Sequence, residues 1–260
     1  MDIKPYVGIT GFKRGEEIIG LAEVFKDDFA FSDCPYSAMF GFVVSDKRLA
    51  DPYGSGAQSP PANSLPELCC IVPRWALPMM HFYTKNPENL AEQVKKLFSI
   101  GRMYDHAICR AVQLNVHSWP QISQVQSILD ALPELNIVLQ ISKGAMDGLN
   151  NEEISMRAAG YKDMASWALI DPSGGLGIEF DVPKTIALMN LIRREMPNTI
   201  MGVAGGFHDG NVEARVREIK KGYGRKFCID AQGKLMDLDK NLDCWKAEKY
   251  IEKASVVMLD

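Results

Sequence analysis

The features that this chain lacks narrow the field first. No apolar run approaches the ~20 residues that a helix needs to cross a bilayer, so a membrane is not an expected partner. Met1 is followed by the charged Asp2 and Lys4 and then by a strand-like run, which is not the pattern of a signal peptide. Basic charge is not in excess: 29 Lys and Arg face 33 Asp and Glu, for a net charge of −4. That balance argues against a nucleic-acid surface, which favours a basic stripe. The 4 histidines, His81, His106, His117 and His208, are scattered without ligand spacing, so neither a metal nor another cofactor is expected. None of the 6 cysteines forms a C-x-x-C pair, and Cys109 and Cys228 sit in apolar runs where cysteine behaves as a small hydrophobe. A disulfide framework is out of place in a chain with this large a core, and the expectation is a reducing, cytoplasmic protein. Low-complexity tracts are missing too, and nothing in the composition marks a second domain.

What is present is periodic. The hydrophobic fraction of 47% supplies a sizeable core. Short apolar runs recur at intervals of roughly 30 residues, centred near Val7, Phe40, Met80, Val112, Val138, Leu169, Met201 and Cys228. Helical patterns fill the gaps. Gly15 to Lys26 sets Ile18, Leu21, Ala22 and Phe25 on one face, and Pro87 to Phe98 sets Leu90, Ala91, Val94 and Leu97 together. Similar faces run through Pro120 to Leu132, Pro183 to Met196 and Trp245 to Ala254. Eight strands in alternation with helices over residues 1–260 predict a single (β/α)8 barrel, for which ~250 residues is typical. Leu49 to Asn63, rich in glycine, proline and serine, reads as a mobile loop after strand two.

The C-terminal stretch from Thr199 to Leu235 carries two consecutive strand–glycine units. Ile200 to Val203 ends in Gly205 and Gly206; Lys226 to Ile229 ends in Asp230, Ala231, Gln232 and Gly233. In a barrel of this kind the loops after strands seven and eight form an anion site, and glycine lets backbone N–H groups approach a phosphate closely. Chemistry in the fold gathers where strands end. Those ends offer Arg48, Lys85 and Lys143 as cations, Asp171 as a carboxylate beside Gly174, Gly175 and Gly177, and His81, His117 and Trp119. The set suits a small, anionic, polyhydroxylated ligand such as a sugar phosphate.

Six of these runs, in the same order, resemble the phosphoribosylanthranilate isomerase family and the wider ribulose-phosphate-binding barrels. YVGIT at 6–10 is similar to the family's Cys-Gly-Ile-Thr strand end, GFVVSDKR at 41–48 to its second strand and Lys-Arg pair, and AVQLN at 111–115 to Ala-Val-Gln-Leu-His. LIDPSGGLGIEFD at 169–181, VAGGFHDGNV at 203–212 and IDAQGKLMD at 229–237 resemble its strand-six, strand-seven and strand-eight motifs. The family rearranges an aminoaldose to an aminoketose, with a strand-one cysteine as general base and a strand-six aspartate as general acid. The resemblance implies Asp171 as the catalytic acid, Arg48 as a substrate contact, and phosphate held by Gly205, Gly206, Ala231, Gln232 and Gly233. It departs at three places: Val7 stands for the cysteine, Asn115 for a histidine, and Ile178 for a lysine. Because valine cannot exchange a proton, three readings stand on the sequence. One is an isomerase or lyase on a phosphorylated sugar with another base, His81, His117 or Lys143. The second is a non-catalytic phosphosugar sensor or partner protein, and the third is the isomerase itself with a relocated base.

Overall fold

The computed structural model describes residues 3–173 and 178–260. Gly174, Gly175 and Gly177, expected to form a glycine loop, lie outside these described residues. Eight parallel strands form one closed ring: β1 (Tyr6–Thr10), β2 (Ser37–Ser45), β3 (Leu77–Thr84), β4 (Ala111–Val116), β5 (Asn136–Ser142), β6 (Trp167–Asp171), β7 (Ile200–Ala204) and β8 (Cys228–Ala231). Each strand pairs with the next, and β8 closes on β1 through Val7↔Ile229 and Gly8↔Asp230. The helices that alternate with them are α1 (Gly15–Phe29), α2 (Asp46–Ala50), α3 (Leu65–Ile71), α4 (Leu90–Ser99), α5 (Ile122–Ala131), α6 (Lys143–Met146), α7 (Asn151–Ala159), α8 (Val182–Glu195), α9 (Val212–Tyr223) and α10 (Cys244–Leu259). The chain is a single (β/α)8 barrel, as its periodicity implies.

Two cores follow from the two-residue alternation of a strand. Outward residues such as Val7, Ile9, Phe40 and Phe42 pack under the helices, against Ile18, Phe25 and Ile251 among others. Inward residues fill the lower barrel with a separate cluster: Tyr6, Met39, Met79, Ala111, Val138, Trp167, Leu169, Ala204 and Cys228. One pair of strand positions higher, the same inward rows turn polar, with Thr10, His81, Gln113, Gln140, Asp171 and Asp230 all buried.

The alternation corrects one expectation. Val7 is fully buried in the outer layer, while its neighbours face in: Tyr6 belongs to the inner cluster, and a Cβ on Gly8 would lie 2.4 Å from Met39 Cε and 3.3 Å from Asp230 Oδ1. A side chain at position 7 therefore faces away from the barrel mouth, whatever its chemistry. The residue of β1 that reaches the mouth is Thr10. β1 runs through Ile9 and Thr10, whose β-branched side chains suit a pleated, buried strand. One strand boundary shifts. β8 begins at Cys228 and includes Asp230 and Ala231, so Asp230 is a strand residue facing the barrel interior.

Candidate functional site

At the C-terminal ends of the strands a cavity of about 350 Å³ opens into the barrel. Its lining includes His81, Gln113, Gln140, Asp171 and Asp230 together with Gly205, Gly206, Gln232 and Gly233. The two glycine turns after β7 and β8, far apart in sequence from β3 and β4, thus share one space with both carboxylates. Gly205 and Gly206 have φ values of +120° and +68°, and a side chain at 205 would be strained whatever the room around it. Gly206 is pinned through its carbonyl, which accepts from Asn211 Nδ2 at 2.9 Å.

The β1–β8 seam carries a polar knot. Thr10 Oγ1 donates to Asp230 Oδ1 at 3.0 Å and stands 3.2 Å from His81 Nε2. Burial is the main influence on both titratable groups. It pushes the Asp230 carboxyl up to about 7, helped by the charge of Asp171 and opposed by the hydrogen bond from Thr10. It pushes the His81 imidazole down to about 3, so the ring is neutral at pH 7. The 3.9 Å approach of His81 Nδ1 to Asp230 Oδ2 is then a contact of a neutral ring with a carboxyl group and not an ion pair. In the tautomer that carries a proton on Nε2, His81 donates to the threonine hydroxyl, which donates onward to Asp230.

The opposite wall carries a second chain. Asp171 accepts at Oδ1 from the backbone N–H and hydroxyl of Ser173, at 3.1 and 2.6 Å, and at Oδ2 from Gln140 Nε2 at 2.9 Å. A carboxylate in that position only accepts, so it fixes the sense of the Gln140 amide. Gln140 Oε1 in turn accepts from Gln113 Nε2 at 2.9 Å, which leaves Gln113 Oε1 buried with no hydrogen-bond partner among the described residues.

The remaining candidates divide. Arg48 sits on α2, its guanidinium donating to the Ser55 carbonyl at 3.1 Å, and it is not among the lining residues. Its contact falls within the segment 49–63, which the Lys13 ammonium also ties through Ala57 at 2.8 Å, and which places Gln58 and Ser59 on the cavity wall. Ala231 is buried at the end of β8 and leads into the lining residues Gln232 and Gly233. His117 and Lys143 line an adjoining lobe, with Asn115 and Tyr83 common to both spaces. Trp119 is packed, stacking on Tyr161 at 5.9 Å and donating to the Ala145 carbonyl at 2.8 Å. Ile178 is exposed. The sequence places Asp230, Thr10 and Gln113 at strand ends but marks none of them with a role. The available signal was position: each stands two residues beyond an inward apolar residue on its own strand, or one such step further.

A larger cavity of about 680 Å³, lined in part by Cys69, Cys70 and Cys109, lies at the opposite end, where β3 and β4 begin. Catalytic groups of this fold belong to the other face. Among the described residues no group of three or more His, Cys, Asp or Glu is placed to hold a metal, and no helix is long and apolar enough to cross a membrane. All six cysteines are free thiols, and none lines the strand-end cavity.

These coordinates define a class of barrel that solved structures share. The fold is similar to that of phosphoribosyl anthranilate isomerase from Thermotoga maritima, at 15% identity and a TM-score of 0.63 over 98% of this chain and 100% of that one. The enzyme of the same name from Thermus thermophilus matches at 13% identity and a TM-score of 0.62, over 96% of this chain and 98% of that one. A phosphoribosyl anthranilate isomerase in complex with reduced 1-(o-carboxyphenylamino)-1-deoxyribulose 5-phosphate matches at 15% identity and 0.62, over 97% and 99%. No protein-family profile matches the sequence, and no curated protein matches it.

Proposed function

We propose that this barrel binds a phosphorylated sugar and transfers protons on it between two buried carboxylates, as an isomerase or lyase. The observation that carries the reading is Asp230: a buried carboxyl group, shifted to about 7, on the same cavity as Asp171 and the two glycine turns. A group that titrates near the working pH is present in both protonation states, which is the condition for efficient general acid–base catalysis. Asp230 takes the base role for which the sequence offered only His81, His117 and Lys143. His81, neutral and buried, orients Asp230 through Thr10. Asp171 stands on the other side of the space as the acid partner; in its protonated form Oδ1 can donate to Ser173 Oγ while Oδ2 still accepts from Gln140. The phosphate goes to the turns of Gly205–Gly206 and Gln232–Gly233, with Ala231 setting the second turn, and Arg48 acts through the segment that brings Gln58 and Ser59 to the wall. The likeness in fold to barrels of the isomerase family, one of them in complex with a deoxyribulose 5-phosphate derivative, supports a phosphosugar over other anions.

The test is a pH–rate profile with phosphosugars, among them phosphoribosylanthranilate. The expected profile has an acidic limb in kcat/KM with an apparent pKa near that of Asp230, about 7. Asp230→Asn is expected to remove the limb and lower turnover by ~10²–10⁴-fold while phosphate binding survives. Tight phosphosugar binding with no turnover of any aldose or ketose phosphate would replace this reading with a binding protein on the same pocket.

A further inference from the structure

The strand-end cavity continues into a second lobe of about 440 Å³ under the ends of β4 and β5. The two share Tyr83, Asn115, Gln140 and Ser173 as a common wall. A ligand anchored at the β7 and β8 turns must cross the barrel mouth to reach this lobe, so the lobe meets whatever the phosphosugar carries at its far end. The lobe is built. Ser142 Oγ donates to the carbonyls of Val116 and His117, at 3.3 and 3.2 Å, and so fixes the end of β4 against the start of α6. Its chemistry is mixed: Lys143 and Asp147 offset each other in charge, and Asn115, His117 and Ser142 add amide, imidazole and hydroxyl groups. Beside these polar groups, Tyr83 and Val116 bring some apolar surface to the wall. Hydroxyl groups, which donate and accept at once, match a wall that does both with no net charge.

We infer that the second lobe selects a phosphorylated sugar extended by a hydroxylated, uncharged chain or ring. This rests on the phosphosugar reading above.

Calorimetric titration of the whole protein tests it with four probes: inorganic phosphate, glycerol 3-phosphate, glucitol 6-phosphate and reduced 1-(o-carboxyphenylamino)-1-deoxyribulose 5-phosphate. The six-carbon polyol phosphate is expected to bind at least about tenfold more tightly than glycerol 3-phosphate, from two or three added hydrogen bonds. His117→Leu, which lines the second lobe and not the first cavity, is expected to abolish that gain and to leave the Kd for glycerol 3-phosphate within about twofold. Asp147→Ala, at an exposed position, is expected to reduce the gain without endangering the fold. Equal affinity for the two polyol phosphates would overturn the inference and leave the phosphosugar reading intact. Tighter binding of the carboxyphenylamino compound than of glucitol 6-phosphate would overturn it too, in favour of an arylamine substrate. If none of the four binds, the phosphosugar reading itself falls and the inference goes with it.

Discussion

Trp167 and Asp171 stand at the two ends of β6, point into the same barrel and sit in different media. Trp167 is packed in the lower cluster with Tyr6, edge to face at 5.9 Å, and its indole N–H is satisfied by the Lys4 carbonyl at 2.9 Å. Asp171 is buried too, yet it is held by hydrogen bonds from Ser173 and Gln140. The inward rows of β1, β3, β4, β5 and β8 pass through the same transition from apolar to polar. The lower half stabilises by removing apolar surface from water, while the upper half concentrates groups that burial opposes. The fold is thus divided by height, with apolar packing below and buried polar groups above.

The division can be broken from below. Trp167→Ala is expected to cost about 3–5 kcal/mol in urea denaturation, from lost transfer and a residual cavity. Well below the melting temperature, the affinity for a phosphosugar should be unchanged. A loss of affinity as large as the loss of stability would show that the two halves are not separable.

A smaller effect sharpens it from above. The Asp230 carboxyl is raised from 3.8 to about 7 by folding, so its contribution to stability is complete below its unfolded value and is lost as pH rises through about 7. Compared with Asp230→Asn, the wild type should lose stability across that window, by roughly 1.4 kcal/mol for each unit of the shift at most. Thermal melts of both proteins between these pH values read the difference directly, and parallel curves would mean that Asp230 is not raised.

Gly205→Ala forces a residue with a Cβ into φ near +120°, at an expected cost of about 1–3 kcal/mol. The signature sought is a weaker affinity for inorganic phosphate along with the lower melting temperature. The smallest effect belongs to Val7→Cys. A thiol placed there joins the outer layer, so turnover should stay within about twofold and the thiol should resist alkylation in the folded protein. Enhanced turnover would mean that position 7 does reach the mouth.

How far the sequence spoke for itself follows the same division. All eight strands were legible because each is a short apolar run, and in a parallel barrel both faces of a strand are covered. Helix α7 escaped the periodic reading, as did the short helices α2, α3 and α6, although Asn150 and Glu153 form a reciprocal cap that begins α7. The glycine turns were legible because glycine is a local signal. Asp230 was harder to assign, since it follows an apolar run and reads as the first residue of a turn. The pairings Gly8↔Asp230 and Ala204↔Asp230 show that the strand continues through it, with the carboxyl group buried. Val7 misled in the opposite direction: its place in a motif was clear, but the face it occupies is set by the alternation from Tyr6, which no motif records.

The Gln113–Gln140–Asp171 chain links three strands in one direction, each amide oriented by its neighbour. An amide reverses only as a whole, so neither glutamine can turn over while Asp171 Oδ2 accepts from Gln140. What the barrel presents at β4 is in this way set by an acceptor it keeps two strands away, at β6.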